Sequence, residues 1–143
     1  MMKAIIVDDE QHCIDRLTNL LQNHHATTVQ PVAAAASVKE GLRLIKEHQP
    51  DLVFLDIQIH DCTGFDLLRE CGAINFKVIF TTAYDKFAIQ AIKFSAIGYL
   101  LKPIDEDDLK EAIAKLNHTS VTDTKAMAAV IEHNRNTQSK KKK

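Results

Sequence analysis

Short apolar runs that alternate with amphipathic stretches limit the folds open to this chain more than any other feature. Residues 4–7, 52–55, 78–80 and 99–101 are each too short for a helix and apolar on both faces, which is the pattern of strands buried between two layers. A fifth, weaker run at 28–34 carries Pro31, whose missing amide proton suits a strand at the sheet edge. Between these runs, helical spacing puts Ile14, Leu17 and Leu21 on one face, then Val38, Leu42 and Ile45, then Phe87, Ala91 and Phe94, and finally Leu109, Ile113 and Leu116. Residues 63–71 predict a shorter helix, begun by Thr63 or Gly64 and closed by Gly72. Five such alternations predict a parallel sheet with right-handed crossovers and helices on both faces: an α/β, three-layer, doubly wound sandwich.

Charge and cysteine usage narrow the function. The net charge is −1, but the last four residues are all lysine, and without them 14 basic side chains stand against 19 acidic ones. A mildly acidic domain is a poor match for nucleic acid, which is bound through basic surfaces. Cys13, Cys62 and Cys71 are odd in number and show neither CxxC spacing nor a His cluster nearby, so neither a disulfide framework nor a zinc site is expected. No apolar run approaches the roughly 18 residues of a membrane span, and the expectation is a cytoplasmic protein.

In open parallel sheets ligands bind beyond the carboxyl ends of the strands, so the residues that follow each run are the informative ones. Asp8, Asp9 and Glu10 follow the first strand, Asp56 the third, Thr81 and Thr82 the fourth, and Lys102 and Pro103 the fifth. Each has a plain explanation when taken singly: an aspartate before a helix is commonly an N-cap, and a lysine before a proline is commonly solvated. Taken together, Asp8, Asp9 and Asp56 at one rim would repel one another unless protonated or neutralised by a cation. A hard divalent ion such as Mg²⁺, or Mn²⁺, would fit oxygen ligands of this kind and leave positions for phosphate oxygens. A carboxylate can also act as the nucleophile in phosphoryl transfer, with the Lys102 amine and the Thr82 hydroxyl placed to contact the transferred group.

Ile6-Val7-Asp8-Asp9-Glu10, residues 52–56 with Gly64 eight positions after Asp56, Thr82-Ala83, and Tyr99-Leu100-Leu101-Lys102-Pro103 together resemble the motifs of response-regulator receiver domains. The likeness covers residues 3 to about 117. Thr82-Ala83-Tyr84-Asp85 followed by Phe87-Ala88-Ile89 is similar, more narrowly, to receivers of the LytTR class. The resemblance implies a flavodoxin-like (βα)5 fold with strand order 2-1-3-4-5. It implies that Asp56 is the phosphoacceptor, and that Asp9, Asp56 and the backbone carbonyl of Gln58 hold Mg²⁺ while Asp8 acts largely through water. It also implies that Lys102 pairs with the phosphate and that Thr82, followed by Ala83, moves to bond it. Tyr99 is then the aromatic whose rotamer follows Thr82, and the Lys102–Pro103 peptide is cis. Gln58 and Tyr84 border the path of hydrolytic water and tune the lifetime of the phosphate. The sequence departs from the family pattern at His60, where a proline is usual, and this puts the stiffness of that loop in doubt.

The resemblance implies a sensor histidine kinase as partner and pairing of two copies through the fourth helix, fifth strand and fifth helix, where Phe87, Ile92, Phe94 and Tyr99 form an apolar set. An amphipathic helix on a sheet must bury one face, so most of that set is expected in the core. Residues 1–118 are expected to form the receiver and 119–143 a polar linker, with one or two helical turns available at 126–133. DNA binding would belong to a C-terminal domain, of LytTR type, outside this sequence. Two other classes compete. Haloacid-dehalogenase-like phosphatases need a second acid two residues after the nucleophile, where this chain has Gln58, which cannot exchange a proton usefully. A flavodoxin would present a Gly, Ser and Thr-rich phosphate loop where this chain has Asp8-Asp9-Glu10. A phosphoacceptor signalling domain rather than an enzyme is the expectation.

Overall fold

The computed structural model describes residues 1–117; the tail, including the turns expected at 126–133, lies outside the described residues. Five parallel strands form the sheet: β1 (Met2–Val7), β2 (Val29–Ala35), β3 (Leu52–Asp56), β4 (Lys77–Thr82) and β5 (Gly98–Leu101), in the order β2-β1-β3-β4-β5. This is the predicted order, with the proline-bearing β2 at an edge. The β1–β2 register slips between Ala4 and Ile5, opposite the stretch in which Pro31 has no amide proton to give to the ladder.

The helices are α1 (Gln11–His24), α2 (Val38–His48), α3 (Gly64–Cys71), α4 (Ala88–Lys93) and α5 (Glu106–Ala114). Two cores lie on opposite faces of the sheet. Ile14, Leu17 and Leu21 of α1 and Leu109, Ala112 and Ile113 of α5 cover one face with Ala4, Ile6 and Phe54. On the other face, α2, α3 and α4 cover Ile5, Val7, Val53, Leu55 and Phe80. β3 is buried along its whole length, as a central strand sandwiched between two helical layers must be.

Local chemistry sets the ends of these elements. Ser37 caps α2 by accepting from the Glu40 amide. Thr63 and Asp66 form a reciprocal capping box at the start of α3, and Gly72, with φ of 71°, ends that helix in a backbone conformation that side chains disfavour. The buried stripe of α2 is Val38, Gly41 and Leu44, with Leu42 and Ile45 on its half-buried flank. A Cβ at Gly41 would meet Leu67 Cδ1 at 2.9 Å and Val7 Cγ2 at 3.2 Å, so the missing side chain is what lets α2 approach both α3 and the sheet. Among the described residues, no helix is long and apolar enough to cross a membrane.

Candidate phosphoacceptor and cation site

The carboxyl ends of β1, β3, β4 and β5 converge at one rim of the sheet, and backbone bonds fix their relative positions. The Asp8 amide donates to the Ala35 carbonyl, the Ile57 amide to the Thr81 carbonyl and the Lys102 amide to the Thr82 carbonyl, at 2.9, 3.2 and 2.8 Å. Gly64, at the head of α3, donates its amide to the Ile57 carbonyl at 2.8 Å, which folds the loop after Asp56 back over the strand end. A Cβ on Gly64 would stand 2.5 Å from the Asp56 carbonyl oxygen, so only glycine permits that approach.

Asp8 and Asp56 are buried, at 3% and 4% exposure. Lys102 reaches between them, with Nζ 2.8 Å from Asp8 Oδ2, 3.0 Å from Asp56 Oδ2 and 3.4 Å from Glu10 Oε1. The remaining Asp56 oxygen accepts from the Gln58 amide at 3.3 Å, and Asp8 Oδ1 accepts from the Glu10 amide at 2.9 Å. Asp9 is half-buried and accepts from the His60 amide at 3.0 Å; His60, with φ of 54°, occupies the left-handed region. Loop residue His60 is thereby tied to the site, and its imidazole Nδ1 lies 3.7 Å from the same Asp9 oxygen.

The electrostatics follow from this crowding. Burial, with the charge of Asp8 adding to it, pushes the Asp56 carboxyl up to about 6, against the opposing pull of Lys102. Burial alone would lower Lys102, but its hydrogen bonds to Asp8 and Asp56 outweigh that effect and hold the amine well above the ordinary lysine range, fully charged. Oxygen atoms of Asp8, Asp9, Glu10 and Asp56 all come within 4.8 Å of one another. An all-oxygen, multiply anionic cluster, in which one carboxyl is raised by burial and by the charge of Asp8, fits a hard divalent cation such as Mg²⁺.

The structure brings Asp8, Asp9, Asp56 and Lys102 together as the strand ends suggested. Thr82 is buried at the end of β4, its hydroxyl accepting from the Tyr84 amide at 3.3 Å, and Ala83 beside it is exposed. Tyr99 is buried in β5 and its hydroxyl donates to the Tyr84 carbonyl, which links the aromatic to the loop after Thr82. The Lys102–Pro103 peptide is cis. Gln58 and Tyr84 expose their side chains near the rim. Of the apolar set on α4 and β5, Tyr99 is buried, and Phe87, Ile92 and Phe94 are half-buried against the core. Phe65 stacks on Phe94 with ring centroids 5.2 Å apart. Ile89, 62% exposed, is the outward apolar residue of α4, and the helical spacing of the buried positions passed over it. Glu10 is the other addition: it follows the acidic pair directly in sequence, yet only the turn into α1 brings its carboxylate to Lys102.

Comparison with known proteins agrees with this geometry. The response regulator receiver domain family matches residues 4–114. An uncharacterized response regulatory protein of Vibrio vulnificus is 39% identical over 118 residues, covering 82% of this chain and 48% of that protein. The transcriptional regulatory protein LytR of Staphylococcus aureus is 33% identical over 136 residues, covering 91% of this chain and 53% of that protein. The chain thus spans about half the length of these curated relatives. A response regulator receiver domain protein from Clostridium thermocellum, solved by crystallography, superposes with a TM-score of 0.70 at 31% identity, covering 81% of this chain and 94% of that one. With the fold, the strand-end acids and the family match in agreement, this chain belongs to the response regulator receiver domains, signalling modules of two-component systems.

Proposed function

We propose that Asp56 accepts a phosphoryl group from a sensor histidine kinase or a small phosphodonor in a Mg²⁺-dependent reaction. The observation that carries this reading is the placement of Asp56: a buried carboxylate at a strand end, 3.0 Å from the Lys102 ammonium and clustered with three further acids. With its carboxyl pushed up to about 6, Asp56 is ionised near neutral pH and more basic than an ordinary aspartate. One of its oxygens forms the new bond to phosphorus as the bond from phosphorus to the donor atom breaks, and the donor leaves with the electron pair. Asp8, Asp9, Asp56 and the Gln58 carbonyl would hold the cation, which supplies charge neutralisation for the phosphoryl oxygens. Lys102 is released from its ion pair with Asp56 to meet a phosphoryl oxygen.

Thr82 provides the hydroxyl that reads the modified state. To bond the phosphoryl group it gives up the Tyr84 amide, and the Tyr99 hydroxyl, anchored on the Tyr84 carbonyl, follows the same loop. A local bond exchange thereby reaches the α4–β5 face, through which two copies would pair. Gln58 and Tyr84 set the access of water and so the rate of autodephosphorylation. The receiver ends near residue 118 and the polar tail leads to an output domain. The name of the LytR relative favours transcription regulation as the output; a LytTR-type DNA-binding domain and a cytoplasmic location follow from the resemblance of the sequence motifs.

Incubation with Mg²⁺ and acetyl phosphate, followed by intact mass measurement, tests the central step. Wild type gains one phosphoryl group and Asp56→Asn gains none; equal labelling of both, or of neither with a donor shown to be competent, overturns the assignment. Sedimentation with and without a phosphate mimic tests pairing, and an unchanged monomer in both states refutes it.

A further inference from the structure

A second group of metal-ligating side chains lies beside the acidic rim, on the first turn of α1. Glu10 is the N-cap residue of that helix, and His12 and Cys13 occupy its second and third positions. One ligand atom from each of the three comes within 4.8 Å of the others. His12 Nε2 stands 3.6 Å from Glu10 Oε2, and Cys13 Sγ stands 4.0 Å from Glu10 Oε1. Tetrahedral zinc, with bonds of about 2.0 to 2.3 Å, places its ligand atoms roughly 3.3 to 3.8 Å apart; the His12–Glu10 separation already falls in that range and the Cys13–Glu10 separation, to the other carboxylate oxygen, lies just outside it. His12 and Glu10 are exposed, and Glu10 would loosen its contact with Lys102 to rotate toward the sulfur, while half-buried Cys13 is fixed by the helix.

We propose that Glu10, His12 and Cys13 form a second cation site, selective for a borderline-soft divalent ion such as Zn²⁺, which adjoins the oxygen-lined Mg²⁺ site and draws Glu10 from its acidic rim. Carboxylate, imidazole and thiolate is a donor set that zinc accepts and magnesium does not, because a hard ion gains little from sulfur and nitrogen. The site also has an open side. A cleft of about 310 Å³ is lined by Glu10, His12, Cys13, Arg16, Lys102 and Pro103, among others, and leaves room for a fourth ligand, water or an external donor. The carboxylate and the thiolate together would neutralise a divalent ion; burial pushes the Cys13 thiol up, so the thiolate forms only as the ion binds. Binding releases one proton, from the Cys13 thiol, to solvent. Neither Cys62 nor Cys71 belongs to a comparable group among the described residues.

Location gives the site a consequence. Glu10 Oε1 is 3.4 Å from Lys102 Nζ, so an ion that takes Glu10 removes one of the three carboxylates around that amine. The binding claim stands whether or not Asp56 is phosphorylated.

Titration of the full 143-residue chain with Co²⁺ in the presence of excess Mg²⁺ provides the test, because a cobalt–thiolate bond produces a near-ultraviolet charge-transfer band that oxygen ligands cannot. The expected result is one band-forming ion per chain, competed away by Zn²⁺, abolished in Cys13→Ser, at least about tenfold weaker in His12→Ala, and retained in Asp56→Asn. Absence of the band in folded wild type, or a band of equal strength in Cys13→Ser, overturns the proposal. Loss of the band in Asp56→Asn also overturns it, since the ion would then depend on the Asp56 cluster. Circular dichroism of each variant confirms that a lost band is not a lost fold.

Discussion

The Lys102 ammonium lies nearer to Asp8, at 2.8 Å, than to Asp56, at 3.0 Å, and so bridges two buried carboxylates from different strand ends. Removing it leaves both acids with their desolvation cost and no counter-charge. Lys102→Met should lower the unfolding free energy by about 3 kcal/mol near neutral pH without divalent ions. Millimolar Mg²⁺ should restore part of that loss. Urea denaturation with and without Mg²⁺ measures both effects, and an equal loss in both conditions would show that Lys102 does not stand in for the cation.

The raised Asp56 carboxyl sets a pH dependence whose sign is fixed by linkage. Its value rises from 3.8 to about 6 on folding, so the native state binds this proton more tightly than the unfolded chain. The resulting stabilisation is complete below 3.8 and is lost as pH climbs through about 6. In Mg²⁺-free buffer, Asp56→Asn should therefore be the more stable protein at neutral pH, by about 1–2 kcal/mol after solvent screening. The difference between the two proteins should close on acidification and on adding Mg²⁺. Stability curves of both proteins from acid to neutral pH check this, and parallel curves would refute it.

Gly64 tests the packing that holds the site together. Gly64→Ala would put Cβ 2.5 Å from the Asp56 carbonyl oxygen and 2.9 Å from Leu55 Cγ, against backbone and a buried side chain that have no room to yield. A loss of about 2–3 kcal/mol is expected, with phosphorylation of Asp56 impaired beyond that loss because the loop over the strand end is displaced. Thermal unfolding and phosphorylation at a temperature where the variant is fully folded separate the two effects.

Tyr99→Phe removes the hydroxyl bond to the Tyr84 carbonyl and leaves the ring in place. About 1 kcal/mol of stability should go with it, and amide exchange should quicken in the loop after Thr82 while β3 keeps its protection. Exchange that quickens uniformly would show that the hydroxyl anchors nothing local.

Much of the fold was legible because a strand buried on both faces has to be apolar at every position, and four of the five strands announce themselves in that way. The α2 stripe was not. Its inner residues are Val38, Gly41 and Leu44, and a glycine that works by having no side chain leaves no apolar mark. The acids, hydroxyl and amine of the site were readable because strand ends define the rim. What could not be read was the choice of partner: Lys102 spans Asp8 and Asp56 because the loop backbones set those distances, and Glu10 joins them only through the turn into α1. Phe87 and Phe94 are drawn inward by Phe65, a contact between distant segments that periodicity along one helix cannot reveal.

The brevity of α4 has a consequence in time as well as in space. It has six residues, its two buried side chains are both alanines, and Ser95 just beyond it takes a left-handed turn at φ 59°. Alanines hold the helix to the sheet with little apolar area, and Phe87, Ile92 and Phe94 add only half-buried contacts, so this crossover should detach at less than the global unfolding cost. Ordered by opening rate, the molecule becomes a slow block of β1, β3 and β4 with one fast segment attached, and that segment begins six residues after Thr82.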